Sequence, residues 1–392
     1  MEIRAKAAAA AARILALRAD LAHAHELIHQ AQVREALTRS ELTLALREAL
    51  KVRAEAQAAA RQETAARLLG QARPRELPSR RGGDRWRQRL LLRLGPSGEA
   101  RLLAERGLWR NGDLRTIAAY VRRGADPAAA PATLFDQAWY LAAQPAAASS
   151  GRAPLTHYLL HGAAADASPH PLFASAWYRA RNAGELDSRG PTPLTHFLAR
   201  GWRLGRDPHP LFDIAYYLSH RPDLATDEDP VSHYARAGWR AGLSPHPLFD
   251  AAWYRRQMAR SLADTAPLVH YVTEGWREGL TPHPLVDPHW YLQEYPDVGE
   301  AGFEPLAHYL TTGAAEGRNP GPWFDTAHHV AARGAALDPA INPLVDYLQG
   351  GAWAVSEARP GFPTAAYLAA TPELVAQGLT PLEHWARKAA KP

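Results

Sequence analysis

The chain has 392 residues, 45 Lys/Arg against 40 Asp/Glu, and no cysteine, a length that suits two or three domains or one long array. Disulfides and thiolate metal sites are thereby excluded, and no stretch approaches the roughly 20 apolar residues that span a bilayer. Residues 1–95 hold 19 basic against 10 acidic side chains, leaving 26 against 30 for the rest, so the larger part offers no basic face to nucleic acid.

Residues 1–69 contain neither Gly nor Pro and are rich in Ala, Leu, Arg, Glu and Gln, all strong helix formers. Apolar side chains at Ile14, Leu17, Leu21, Ala24, Ile28 and Ala31 follow a heptad seam. The seam slips near Val33 and Leu37 and resumes at Leu42, Ala45, Ala49, Val52 and Ala56, as a stutter would. A coiled-coil helix that self-associates is expected over residues 1–69. Its segment His25-Glu26-Leu27-Ile28-His29 matches the zinc-protease pattern, in which two histidines bind the metal and the glutamate activates water. No cleft or third ligand accompanies it, so a chance match is the reading.

Residues 70–95 form a basic, Arg-rich linker opened by Gly70 and carrying Pro74, Pro78, Gly82 and Gly83. Within it, Arg85, Trp86, Arg87, Arg89 and Arg93 suit either a short helix resting on the first repeat or a contact with an anionic membrane surface. Residues 96–134 read as a degenerate capping unit, because Tyr120 and Gly124 precede Tyr158 and Gly162 by one period.

From residue 135 to 392 one pattern of about 38 residues recurs. Its first aromatic position falls at Phe135, Phe173, Phe212, Phe249, Val286, Phe324 and Phe362. A second landmark falls at His157, His196, His233, His270, His308, Asp346 and His384. Such self-similarity is the mark of stacked units. Each unit reads as two helices. Asp136, Asp213 or Asp250 caps the first, with the preceding Phe stapled to a Tyr five residues on. The second opens at Pro154, Pro193, Pro230, Pro267, Pro305, Pro343 or Pro381, with Thr192, Asp229, Asn342 and Thr380 as caps. Gly162, Gly201, Gly238, Gly275, Gly313 and Gly351 are expected to end it as left-handed caps. Pro-His-Pro at 169–171, 208–210, 245–247 and 282–284 reads as a stiff connector.

The expected fold is all-α: the long helix followed by a helical-hairpin solenoid of seven to eight units with a Trp-Tyr spine. The repeated histidines are too far apart to share an ion, since stacked helices sit about 10 Å apart, and are expected to bond backbone carbonyls between units. Asp227-Glu228-Asp229 is an isolated D-x-D whose last residue already serves as a cap. No phosphate loop, nucleophile triad or nucleotide-binding β-α-β pattern is present, so no catalytic residue, cofactor or metal is assigned.

The stretch Trp290 to Val298 (WYLQEYPDV), followed by Glu304 to Leu310 (EPLAHYL) and Gly313 to Arg318 (GAAEGR), resembles units that flank glycosyltransferase domains in bacterial surface-polysaccharide proteins of the rhamnan-synthesis type. The resemblance covers residues 134–388 and implies a setting in cell-envelope glycan assembly. It transfers no catalytic residue. The expected function is therefore a non-catalytic scaffold, cytoplasmic or peripheral at the inner membrane, that self-associates and engages a protein partner such as a glycosyltransferase. The alternatives are a carbohydrate-binding module, with Trp202, Trp239 and Trp276 stacking on sugar rings if their indoles lie open, or the non-catalytic part of a glycosyltransferase.

Overall fold

The computed structural model describes residues 2–72, 84–105, 114–122, 134–186, 190–221, 223–224, 228–258 and 264–389; for residues 2–12, 14–19 and 84–86 it describes the backbone alone. Among these residues the protein is all-helical, with no strand beyond isolated two-residue bridges such as His209 with Phe212. Helix α1 (Glu2–Gln71) is unbroken, about 105 Å at 1.5 Å per residue. Helices α2 (Asp84–Arg93), α3 (Gly95–Glu105) and α4 (Leu114–Arg122) come next and pack on one another.

Seven two-helix units then run to the C-terminal end of the described chain. Their leading helices are six to eight residues long, as in Gln137–Ala143, Ile214–Ser219 and Thr326–Arg333. Asp136, Asp213, Asp250, Asp287 and Asp325 each accept the N–H three residues on at 2.8–3.0 Å, satisfying a donor the helix cannot. The expected staple is present: Phe135–Tyr140, Phe212–Tyr217 and Phe249–Tyr254 ring centroids all lie 5.3 Å apart. Trailing helices begin at the predicted prolines, and Thr192, Asp229 and Asn342 cap them. Glu304 caps another, accepting from Leu306 and Ala307.

The contact that fixes each pair of helices is a buried hydrogen bond between its Tyr and its His. Tyr140–His157, Tyr178–His196, Tyr217–His233, Tyr254–His270, Tyr291–His308 and Tyr367–His384 join hydroxyl to Nδ1 at 2.6–2.9 Å. The histidines thus bond a tyrosine within their own unit, not a backbone carbonyl of a neighbour. In the sixth unit both partners change together: His329 stands at the Tyr position and its Nε2–H donates to the Asp346 carboxylate, 2.8 Å away.

This bond also explains the glycines, and corrects their reading as left-handed caps. Gly162, Gly201, Gly238, Gly275 and Gly313 have ordinary negative φ. A Cβ on any of them would collide with the tyrosine hydroxyl of the leading helix. The left-handed residues lie four positions later, at Asp166, Gly205, Gly242, Gly279 and Gly317. In the third to sixth units the trailing helix also widens to i→i+5 spacing on reaching this glycine, as Trp239 N to Tyr234 O at 3.3 Å illustrates; such local widening is rare in proteins.

Neighbouring units are joined by backbone. The cap N–H of one donates to the first connector proline of the next: Asp136 to Pro169, Ala174 to Pro208, Asp213 to Pro245, Asp250 to Pro282 and Asp287 to Pro320, at 2.9–3.0 Å. A second tyrosine, on the trailing helix, reaches forward: Tyr234 accepts from Leu268 N (3.2 Å) and Tyr347 from Leu382 N (3.1 Å). Tyr120 does the same to Leu155 at 3.4 Å, so α4 stands where a trailing helix would. The core is accordingly a column of fully buried tyrosines. Trp139, Trp177, Trp253 and Trp290 are only half-buried beside it, so the spine is tyrosine, with Phe197 in its place in the second unit.

The glycine contact sets a measurable cost. Gly275→Ala should destabilise the chain by about 1–3 kcal/mol through overpacking against Tyr254, read as a lower denaturant midpoint. Adding Tyr254→Phe should recover part of the loss, because the colliding oxygen is gone; strict additivity of the two changes would refute the contact.

Candidate interaction surface

Helix α1 has two stretches with different surroundings. From Leu46 to Ala72, one stripe is covered by the protein's own units: Leu50, Ala65, Leu68 and Ala72 are buried, with Leu46, Ala54 and Leu69 packed beside them. It lies against the leading helix Ile214–Ser219 of the third unit and, at its other end, against Tyr347–Gly351 and Thr364–Ala370 of the sixth and seventh. Arg47 Nε donates to Trp353 O at 3.0 Å. Alanines allow the close approach, since a Cβ on Gly350 would sit 2.9 Å from the Ala54 Cβ. About 39 Å of helix therefore bridges units far apart in sequence.

The last unit reinforces this bridge by meeting the fourth. Arg387 donates to Asp250 (2.5 Å) and Glu383 (2.8 Å), and stacks over Trp253. His283 lies 3.8 Å from the same Glu383. The array therefore folds back on itself within three units.

The docked stripe is not the expected seam. Leu42, Ala45, Ala49, Val52 and Ala56 are all exposed; buried Leu50 and half-buried Leu46 and Ala54 lie on another face. The Leu/Ala text supports both stripes, and the surface available for docking selects one. Further toward the N-terminus, every side chain from Asp20 to Leu42 is exposed, including Leu21, Leu27, Ile28, Val33 and Leu37. His25, Glu26 and His29 belong to this stretch, with no cleft around them; Ile14 and Leu17 side chains lie outside the described residues.

Other candidate residues sit elsewhere on the molecule. Trp202, Trp239 and Trp276 are 2%, 4% and 8% exposed, and Arg203, Arg240 and Arg277 lie over their rings at 4.1–4.3 Å. A sugar would have to displace a cation–π contact to reach them. Of the basic segment, Arg87 pairs with Glu105 of α3 at 2.8 Å, Leu91 is buried, and Arg89 and Arg93 are exposed; the side chains of Arg85 and Trp86 lie outside the described residues. Asp227 also lies outside them, while Glu228 pairs with Arg236 (2.8 Å) and Asp229 caps Ser232. No helix among the described residues is long and apolar enough to cross a membrane.

The chain matches no protein-family model, no curated protein and no solved structure.

Sequence reading missed the chemistry of the connector histidines. His170, His209, His246 and His283 are buried, and Nδ1 of each accepts the N–H two residues on at 3.0–3.2 Å. They hold neutral rings: burial pushes His170 and His209 down to about 4 and His246 to about 3, each of the latter two also opposed by the preceding histidine of the column. The signal was the fixed position of His between two prolines across four copies.

Two pH effects of opposite sign result. An unfolded histidine takes a proton near pH 6.5 that the folded column refuses, so stability is full above that pH and falls as pH drops toward 4. Thermal melts from pH 7.5 to 4.5 should show the loss, on the order of 1–2 kcal/mol per ring by pH 5, and His246→Asn should flatten it. Asp207 behaves inversely. It accepts the Ile214 N–H (2.8 Å) where sister units use Ser168, Ser244 or Asn319. Burial and the nearby Asp213 push its carboxyl up to about 7. Its unfolded form ionises near 3.8, so stability declines as pH rises through 7. Asp207→Asn should stabilise the chain at pH 8 by on the order of 1–2 kcal/mol, read as a higher melting temperature, and not at pH 4.

Proposed function

We propose that the chain is a non-catalytic scaffold in which an α-solenoid of two-helix units, preceded by the unit containing Tyr120, is clasped along one side by α1 and displayed by its free N-terminal stretch. The observation that carries this reading is the contrast along α1: Leu46 to Ala72 anchor it, while Leu21 to Leu42 expose a row of large apolar side chains, Leu42 at 69% and Leu37 at 60%. A solvent-exposed apolar row on a helix favours a partner helix. The heptad spacing of Leu21, Ala24, Ile28 and Ala31 favours a second copy, joined as a coiled coil. The exposed seam at Leu42, Ala45, Ala49 and Val52 would extend the same contact without disturbing the docked stripe.

The resemblance of the units to those beside glycosyltransferase domains supports cell-envelope glycan assembly as the setting, cytoplasmic or peripheral at the inner membrane, with a glycosyltransferase as protein partner. The burial of Trp202, Trp239 and Trp276 favours this scaffold over a carbohydrate-binding module.

Removing residues 1–69 would strip Leu50, Ala65 and Leu68 from the core and confound the test. Deletion of residues 1–44 leaves the docked stripe. Light scattering should then report a fall from an oligomer to the monomer mass, with far-UV circular dichroism retained for the units. A full-length chain that is already monomeric at micromolar concentration would defeat the self-association reading.

A further inference from the structure

The fourth unit differs from its sisters in the surroundings of its histidine. His270 is 2% exposed and its Nδ1 is held by Tyr254 at 2.7 Å. Its Nε2 is buried and makes no hydrogen bond among the described residues. Two carboxylates face that nitrogen. Glu274 lies one helical turn on, and Glu278 has an oxygen 3.6 Å from Nε2. The three ligand atoms lie within 4.8 Å of one another.

Sister units resolve the same position differently. His196 Nε2 meets Glu185 at 3.2 Å, and that carboxylate is flanked by Arg200 and Arg206. Glu316, the counterpart of Glu278 in the fifth unit, pairs with Arg318. Glu274 and Glu278 pair with no arginine or lysine among the described residues. The nearest guanidinium in sequence, Arg277, is spent on the Trp276 ring and the Thr273 carbonyl. A desolvated imidazole nitrogen beside two carboxylates without countercations is a set of donors lacking its cation.

From this geometry we infer that His270, Glu274 and Glu278 form a site for one divalent transition-metal ion of the zinc class. One imidazole with two carboxylates is a nitrogen–oxygen donor set suited to Zn²⁺, at about 2.0–2.2 Å per ligand, with a fourth position open to water. Such bonds bring the ligand atoms to about 3.4 Å in a tetrahedron, a closure that rotation of the two exposed glutamates supplies. The site needs the tautomer in which Nδ1–H donates to the Tyr254 oxygen, leaving the Nε2 lone pair for the metal. Tyr254 then serves as the outer partner that metal-bound histidines commonly have. An ion held there ties the widened trailing helix, Tyr271–Gly275, to the turn after it.

The test uses the full chain carrying His25→Ala and His29→Ala, which removes the exposed histidine pair of α1 as a competing site. After chelator treatment, calorimetric titration with Zn²⁺ should show one ion per chain at micromolar affinity, and Co²⁺ should give the intense visible band of tetrahedral coordination. Glu274→Gln with Glu278→Gln should weaken binding at least tenfold, abolish the Co²⁺ band and remove the Zn²⁺-induced rise in melting temperature, with circular dichroism unchanged. His270 is left intact because its loss would strand Tyr254. Absence of binding in the histidine-pair background, or affinity unaltered by the double glutamine variant, would overturn the assignment.

Discussion

The hydrogen bond from a buried tyrosine hydroxyl to a histidine Nδ1, made directly over a glycine that has no Cβ, is the constraint on which the architecture rests. It sets how closely the two helices of a unit approach and where the trailing helix turns. A buried hydroxyl without a partner would cost about 1–3 kcal/mol, and the same loss repeated through six units would be comparable to the whole stability of an ordinary domain. The sixth unit shows the constraint by exception. When histidine replaces the tyrosine at 329, an aspartate replaces the histidine at 346, and the bond survives at 2.8 Å. Arg333 adds a second partner to that aspartate at 2.9 Å, as a buried carboxylate requires.

Short helices of six to eight residues are marginal alone. They persist here because the first five units each donate a cap N–H to the next connector, and the trailing helices at Leu155, Leu268 and Leu382 donate to a tyrosine hydroxyl of the preceding unit. Helix α1 then joins units that sequence separates by more than a hundred residues, and Arg387 with Asp250 makes a second such link. The helix is thus part of the core over one stretch and fully exposed over the other.

Much of this was legible because it is local. Caps at Asp136, Asp213 and Asp250, the Phe–Tyr staple and the prolines opening each trailing helix depend on residues within one turn of each other. The glycines were legible as landmarks and misread in role: spacing marks where a glycine stands, while only the approach of Tyr254 shows why Gly275 must be one. The histidine partner was misassigned for the same reason, since a hydroxyl 16 residues away leaves no local trace. The site at His270 was spelled out as His, Glu and Glu at intervals of four, yet its distinguishing property, an unpaired buried nitrogen, exists only in the packed unit.

The amino-acid sequence alone determined the helical class, the period, the capping residues and the uninterrupted α1, because hydrogen-bond donors at helix ends and the side-chain period of a helix act over a few residues. Tertiary structure decided which stripe of α1 is buried, how the array closes through Arg387 and Asp250, and which tryptophans face arginine instead of solvent. Those outcomes depend on surfaces brought together from distant segments, among alanine- and leucine-rich faces whose composition is nearly the same.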